Sequence, residues 1–241
     1  MTRKVFLIKG FAKNDTETAK LVEYLSKYKE FFKDNSGGAY REEEILTFDQ
    51  PDLKELQEKI IAEKLDYMIA VFLGHGADQE ATQLFQLNGS EIILAGQVEF
   101  SASKQLVLME SCRGLLIGIP VVKQANKVAK FKKGGVLERP LTITEIRTLY
   151  DEHIKRCDEG LVIGYACSLD EKASGFFYSQ TILTLAHEAH NDRRNKKTVI
   201  GIQSFFPHVS SNVKDIASQY SKSQTPVLRG NADYPIIVSK F

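Results

Sequence analysis

The chain has no tryptophan, only three cysteines, no surplus of either charge and no apolar run long enough to span a membrane. The missing tryptophan decides little, but the cysteines decide more. They stand at 112, 157 and 167, separated by 45 and then 10 residues. That is too few and too scattered for a disulfide framework, and the spacing fits no zinc pattern. An odd count of free thiols favours a reducing compartment, so a cytoplasmic protein is expected. The 32 basic and 31 acidic residues leave a net charge of +1. Bulk electrostatics offers nothing to a nucleic acid or a membrane surface, and neither is expected as a partner. The N-terminus holds four consecutive apolar residues, Val5 to Ile8. That is too short for a signal-peptide core or a membrane span. Gly10 is the only glycine in the loop after that first run. A nucleotide-binding doubly wound domain would need a glycine-rich loop there.

What is present is ample apolar material, 43% of the 241 residues, in an alternating order. Val5 to Ile8 reads as a buried strand. Asn14-Asp-Thr-Glu17 resembles a capping box opening a helix with Leu21, Leu25, Tyr28 and Phe32 on one stripe. Ile45 to Phe48 reads as a strand, and Asp49-Gln-Pro-Asp52 starts a helix carrying Leu53, Leu56, Ile60 and Ile61. Tyr67 to Leu73 is a third strand. Ala81 to Leu94 alternates and turns at Asn88-Gly89, a hairpin signal. A strand, Leu106 to Met109, follows. This order predicts an α/β fold with a mostly parallel sheet and helices on both faces. From about 117 to 140 the chain is basic and weakly patterned, as in a long exposed linker. A helix near Thr142 to Arg156, a strand from Leu161 to Ala166 and a helix from about Gly175 to His190 are expected beyond it. A helix near Asn212 to Tyr220 and a strand region from Val227 to Val238 complete the pattern.

Two of these strands end in chemistry. The third runs into Gly74-His-Gly76, and the next runs into Glu110-Ser-Cys-Arg-Gly114. A His and a Cys are thus expected just past the C-terminal ends of two buried strands, where open α/β sheets build their sites. A thiol needs a base and a cradle for an oxyanion, and this layout offers both. Either residue alone is more often a packing residue than a catalytic one. Cys157 and Cys167 are assigned to packing. His187-Glu-Ala-His190 has i, i+3 spacing and no third ligand, so a solvated helix face is expected and no metal. His153 and His208 have no companions and receive no role. Asn191 to Lys197 reads as a solvated charge run.

The two motifs, in this order, resemble those of the caspase-like cysteine peptidases: caspases, paracaspases and metacaspases. The caspase signature is Q-A-C-[RQG]-G with a His about 50 residues upstream. Here the interval from His75 to Cys112 is 37 residues, and the first two letters differ. The similarity extends from about Phe6 to Val238 and includes Leu161 to Asp170. It implies a caspase-like sandwich, a mostly parallel sheet of about six strands with helices on both faces. It also implies one peptidase domain, 1–241, with a large-subunit-like part (about 1–116), a linker (about 117–140) and a small-subunit-like part (about 141–241).

The resemblance makes Cys112 the nucleophile and His75 its proton-transfer partner. The N–H groups of Gly76 and Cys112 would hold the oxyanion. No carboxylate stands out as a third member, and in this family a backbone carbonyl often orients the His. The role implied is regulated proteolysis, as in cell death or defence, on a protein or peptide substrate. The linker is expected to be self-processed between about Lys123 and Arg139. Recruitment is expected to come from an activating partner or ligand. No cofactor is expected, and no acidic cluster demands calcium.

The specificity pocket departs from true caspases and looks closer to the metacaspase and paracaspase pattern. The caspase pocket Gln corresponds to Glu110. The stretch matching one pocket arginine, Gly10-Phe-Ala-Lys-Asn14, has none. The other falls in Cys167-Ser-Leu-Asp-Glu-Lys-Ala-Ser174, where Asp170 is the match. Two carboxylates in one cavity would suit Arg or Lys before the cut bond. The alternatives are a catalytically silent scaffold of the same fold and an active enzyme cutting after Asp.

Overall fold

The structure is a computed structural model. It describes all residues except 62, 80–81, 95–101, 113–138, 169–170, 172, 174, 193, 195–197 and 241. For 77–79, 82–83, 94 and 112 it describes the backbone path alone. Six strands form the main path of the sheet, in the order β2 (Ile45–Asp49), β1 (Arg3–Lys9), β3 (Tyr67–Gln79), β6 (Lys104–Cys112), β7 (Gly160–Tyr165) and β9 (Val227–Arg229). The first five run parallel, and β9 pairs antiparallel with β7. A hairpin of β4 (Thr82–Gln86) and β5 (Ile92–Leu94) hangs antiparallel from the far end of β3. Asn88 closes it by accepting from the backbone N–H groups of Ser90 and Glu91.

Helices cover both faces because the strands are apolar on both. On one face Val5, Leu7, Ile69, Val71, Leu73, Leu106, Leu108 and Val162 pack against four helices. These are α1 (Asp15–Lys33), α3 (Ile143–Arg156), α4 (Phe177–Asn191) and α5 (Ile202–Gln219). On the other face Phe6, Ile8, Met68, Ala70, Phe72, Val107 and Met109 meet α2 (Leu53–Ile61) and the hairpin. Strand period 2 alone divides these residues between the faces. Leu7 and Val71 are fully buried. Leu7→Ala would remove a central contact of the larger core at about 2–5 kcal/mol.

The α1 start fixes one side of the site. Asn14 caps it, its Oδ1 accepting from Glu17 N at 3.0 Å. Glu17 does not reach back to Asn14, as a full capping box would; its carboxylate accepts from Lys13 N at 2.7 Å. Leu21, Tyr24, Tyr28, Phe31 and Phe32 then recur at helical spacing and are buried, while Leu25 is partly buried. Upstream, Gly10 donates to Leu73 O at 2.8 Å. A Cβ at Gly10 would lie 2.4 Å from Gln86 O, so a larger residue would push this segment off the hairpin.

Three local readings differ from the structure. β3 does not stop before His75; it continues to Gln79, because β6 pairs with it as far as His75 and β4 pairs with it from Gly76. The two glycines read as breakers, but ladder pairing overrides that local signal. The helix expected near Asn212 begins at Ile202. Pro207 reads as a helix breaker, yet Ile202, Phe205, Phe206, Val209, Val213 and Ala217 form one buried stripe through it. The strand region Val227 to Val238 is two strands in two sheets. Gly230, at φ 100°, turns the chain between β9 and β10 (Pro235–Val238), and β10 pairs with the three-residue β8 (Val199–Gly201). The expected linker and most of the charge run at 191–197 lie outside the described residues. Among the described residues no helix is long and apolar enough to cross a membrane.

Candidate active site

β3 and β6 bring the two motifs side by side. In their parallel register His75 is the partner of Cys112, the last residue of β6. Neighbouring strands lie about 4.8 Å apart, so the two backbones are adjacent rather than merely on the same edge. Position 75 shares the parity of Tyr67, Ile69, Val71 and Leu73, and position 112 that of Leu106 and Leu108. Both parities belong to the face covered by α1 and α4.

His75 is 7% exposed. Its Nε2 lies 2.9 Å from both carboxylate oxygens of Glu17, in the first turn of α1. The Glu17 side chain is 21% exposed, so the pair is partly sheltered from water. Phe11 packs beside the imidazole with ring centroids 6.3 Å apart. Ring and carboxylate thus meet across 58 residues of sequence. The capping pattern at 14–17 is legible as a helix start, but nothing in the sequence ties its glutamate to His75.

Gly76 is required for steric reasons. A Cβ there would lie 2.7 Å from Leu84 O, 2.7 Å from Ser111 Cβ and 2.8 Å from Ser111 Oγ. The hairpin therefore closes against the β3–β6 edge only because position 76 has no side chain.

Glu110 is sealed, at 1% exposure. Its Oε2 accepts from Ser179 N at 2.5 Å. Ser179 is the third residue of α4, and its N–H is one of the donors a helix start leaves unpaired. Oε1 has no hydrogen-bond partner among the described residues. Burial pushes the Glu110 carboxyl up to about 7, and the bonds to Ser179 only partly offset this. Three phenols stand around it. Burial and then the charge of Glu110 push the Tyr24 phenol up. Burial, Tyr28 and Glu110 do the same to Tyr178. Tyr28 donates to Ser179 Oγ at 3.1 Å. The α4 start is pinned by Phe176, held at φ 61° and stacked on Tyr24 with centroids 4.5 Å apart. A bulky residue in the left-handed region costs on the order of 1–2 kcal/mol, which that stacking helps to offset.

Asp170, the second expected pocket carboxylate, lies outside the described residues. Cys167 is buried, its thiol 3.4 Å from Glu171 O. Cys157 ends α3 with Sγ 3.3 Å from both His153 O and Asp233 O, as a packing thiol would. The two histidines of His187-Glu-Ala-His190 diverge. His187 is exposed, whereas His190 is buried and its Nδ1 lies 2.6 Å from Val238 O.

No protein-family model and no curated protein matches the chain. A solved structure does. The crystal structure of the Drosophila initiator caspase Dronc is similar with a TM-score of 0.50 and 8% identity, over 98% of this chain and 81% of that one. At that identity the likeness is one of fold. With its mostly parallel sheet clad by helices on both faces, the fold of this chain is caspase-like.

Proposed function

We propose that the chain is a cysteine endopeptidase acting through Cys112 and His75. The observation that carries this reading is the register of β3 on β6, which makes His75 and Cys112 cross-strand partners on the helix-covered face. In this reading the Cys112 thiol gives its proton to His75, and the thiolate attacks the substrate carbonyl. The N–H groups of Gly76 and Cys112 stabilise the oxyanion. Collapse to the thioester expels the amine, which takes the proton from His75. Water then attacks the thioester, His75 accepts a water proton and returns it to the departing sulfur, and the acid product leaves.

We further propose cleavage after Arg or Lys, with Glu110 and Asp170 as the pocket carboxylates. The support is Glu110 itself: a buried carboxylate with one oxygen unpaired among the described residues is an acceptor that a guanidinium would satisfy. A substrate carboxylate there would face like charge.

Fluorogenic peptides ending in Arg, Lys or Asp test both parts. The wild type should cleave the basic peptides. Cys112→Ala should abolish cleavage, and His75→Ala should reduce it by roughly 10²–10⁴-fold. Cleavage that survives in Cys112→Ala would refute the mechanism. A preference for Asp would refute the pocket, and a folded wild type that cleaves nothing would favour a silent scaffold.

A further inference from the structure

We propose that Glu17 is a positioning residue for His75. On the peptidase reading just given, it takes the place that a backbone carbonyl often fills in proteins with these motifs. Three observations combine. Both carboxylate oxygens lie 2.9 Å from Nε2, so that nitrogen carries the proton and donates it to Glu17. The remaining nitrogen, Nδ1, is then the basic one and is left for the thiol proton. The imidazole itself is 7% exposed and is flanked by Phe11, so the ring has little freedom to turn away.

The carboxylate is in turn held in place. Its backbone N–H is tied to the Asn14 side chain at 3.0 Å. Its Oε2 accepts from Lys13 N at 2.7 Å. It also sits in the first turn of α1, where the helix dipole favours a negative charge. A charged group in that position stabilises the imidazolium that forms when the thiol gives up its proton.

Glu17→Gln separates this role from packing. The amide keeps the shape but has one acceptor oxygen. If that oxygen stays with Lys13 N–H, the NH₂ group faces Nε2 and forces the ring proton onto Nδ1, the nitrogen needed as base. An equivalent amide substitution in a serine peptidase triad costs about 10⁴-fold in kcat. Glu17 is 21% exposed, so water replaces part of its effect. A drop of about 10²-fold in kcat with KM nearly unchanged is expected, on the scale of general-base contributions. Thr142→Ala is the control. It removes the cap of α3, whose Oγ1 accepts from Glu145 N, at about 1 kcal/mol of stability but leaves Glu17 and its supports, so kcat should hold.

The second readout needs no turnover. In ¹⁵N-histidine NMR spectra of the neutral ring, wild-type His75 should be protonated at Nε2. In Glu17→Gln the Nδ1-protonated form should appear. Wild-type kcat in Glu17→Gln with unchanged His75 spectra would overturn the proposal. So would an equal loss of kcat in Thr142→Ala, since that would make the effect one of general stability. If the wild type cleaves nothing, the peptidase reading fails by itself, and the His75 spectra still decide whether Glu17 sets the tautomer.

Discussion

At the first turn of α1, the Glu17 carboxylate is part-exposed and meets an imidazole. At the first turn of α4, the Glu110 carboxylate is sealed, and among the described residues it hydrogen-bonds only Ser179 of that helix. Both acids use a helix start, where unpaired N–H groups and the dipole favour an anion. The outcomes differ because of what else is near. Glu17 has water and a basic ring beside it. Glu110 is surrounded by three phenols and, among the described residues, has no cation beside it and one unpaired oxygen; burial pushes its carboxyl up to about 7. One carboxylate faces a ring that can share a proton with it. The other is poised by burial between neutral and charged near neutral pH.

Stability against pH should expose this difference most strongly. The folded-state value for Glu110 lies near 7, above an ordinary 4.5. The folded chain therefore holds a proton there that the unfolded chain has already released. The stabilisation is complete below pH 4.5 and is lost as pH rises towards 7, after which it stays lost. At 1.36 kcal/mol per pH unit this amounts to about 3 kcal/mol. Urea unfolding at pH 5, 6, 7 and 8 should show the fall, and Glu110→Gln should flatten it. A wild-type curve already flat from pH 5 to 8 would mean that Glu110 is not sealed in solution.

A smaller effect is expected in catalysis. If Glu110 receives the substrate cation, protonating it should raise KM for Arg peptides as pH drops below 7, by about tenfold at pH 6. Glu110→Gln should have a high KM that no longer varies with pH over this range. An unchanged KM in that variant would detach Glu110 from the pocket and leave it a purely structural acid.

The sequence shows the sheet more clearly than it shows the site. Runs such as Val5–Ile8 and Leu106–Met109 are buried on both faces, and their strands appear where expected. The Asn88 turn is equally legible, because an Asn side chain can close it without help from the rest of the chain. The extension of β3 through Gly74-His-Gly76 is not, since the pairing that keeps it extended comes from β4 and β6. The three-residue β8 depends in the same way on β10. At the site, His75 and Cys112 stand out because each motif directly follows a buried apolar run. Glu17 carries a helix-start signal but no mark of its distant partner. Resemblance marks Glu110 only as a candidate for the pocket, and its sealing depends on where α4 packs, which no local pattern records.

Activation of Cys112 as a nucleophile beside His75 is tested most directly by intact-mass measurement after treatment with an electrophilic Arg-terminated peptide. One adduct per wild-type chain is expected, mapped to Cys112, and none in Cys112→Ala, with Cys157 and Cys167 unmodified in both. An adduct of equal extent in Cys112→Ala, or an unmodified wild-type chain that is folded, would contradict a nucleophilic Cys112.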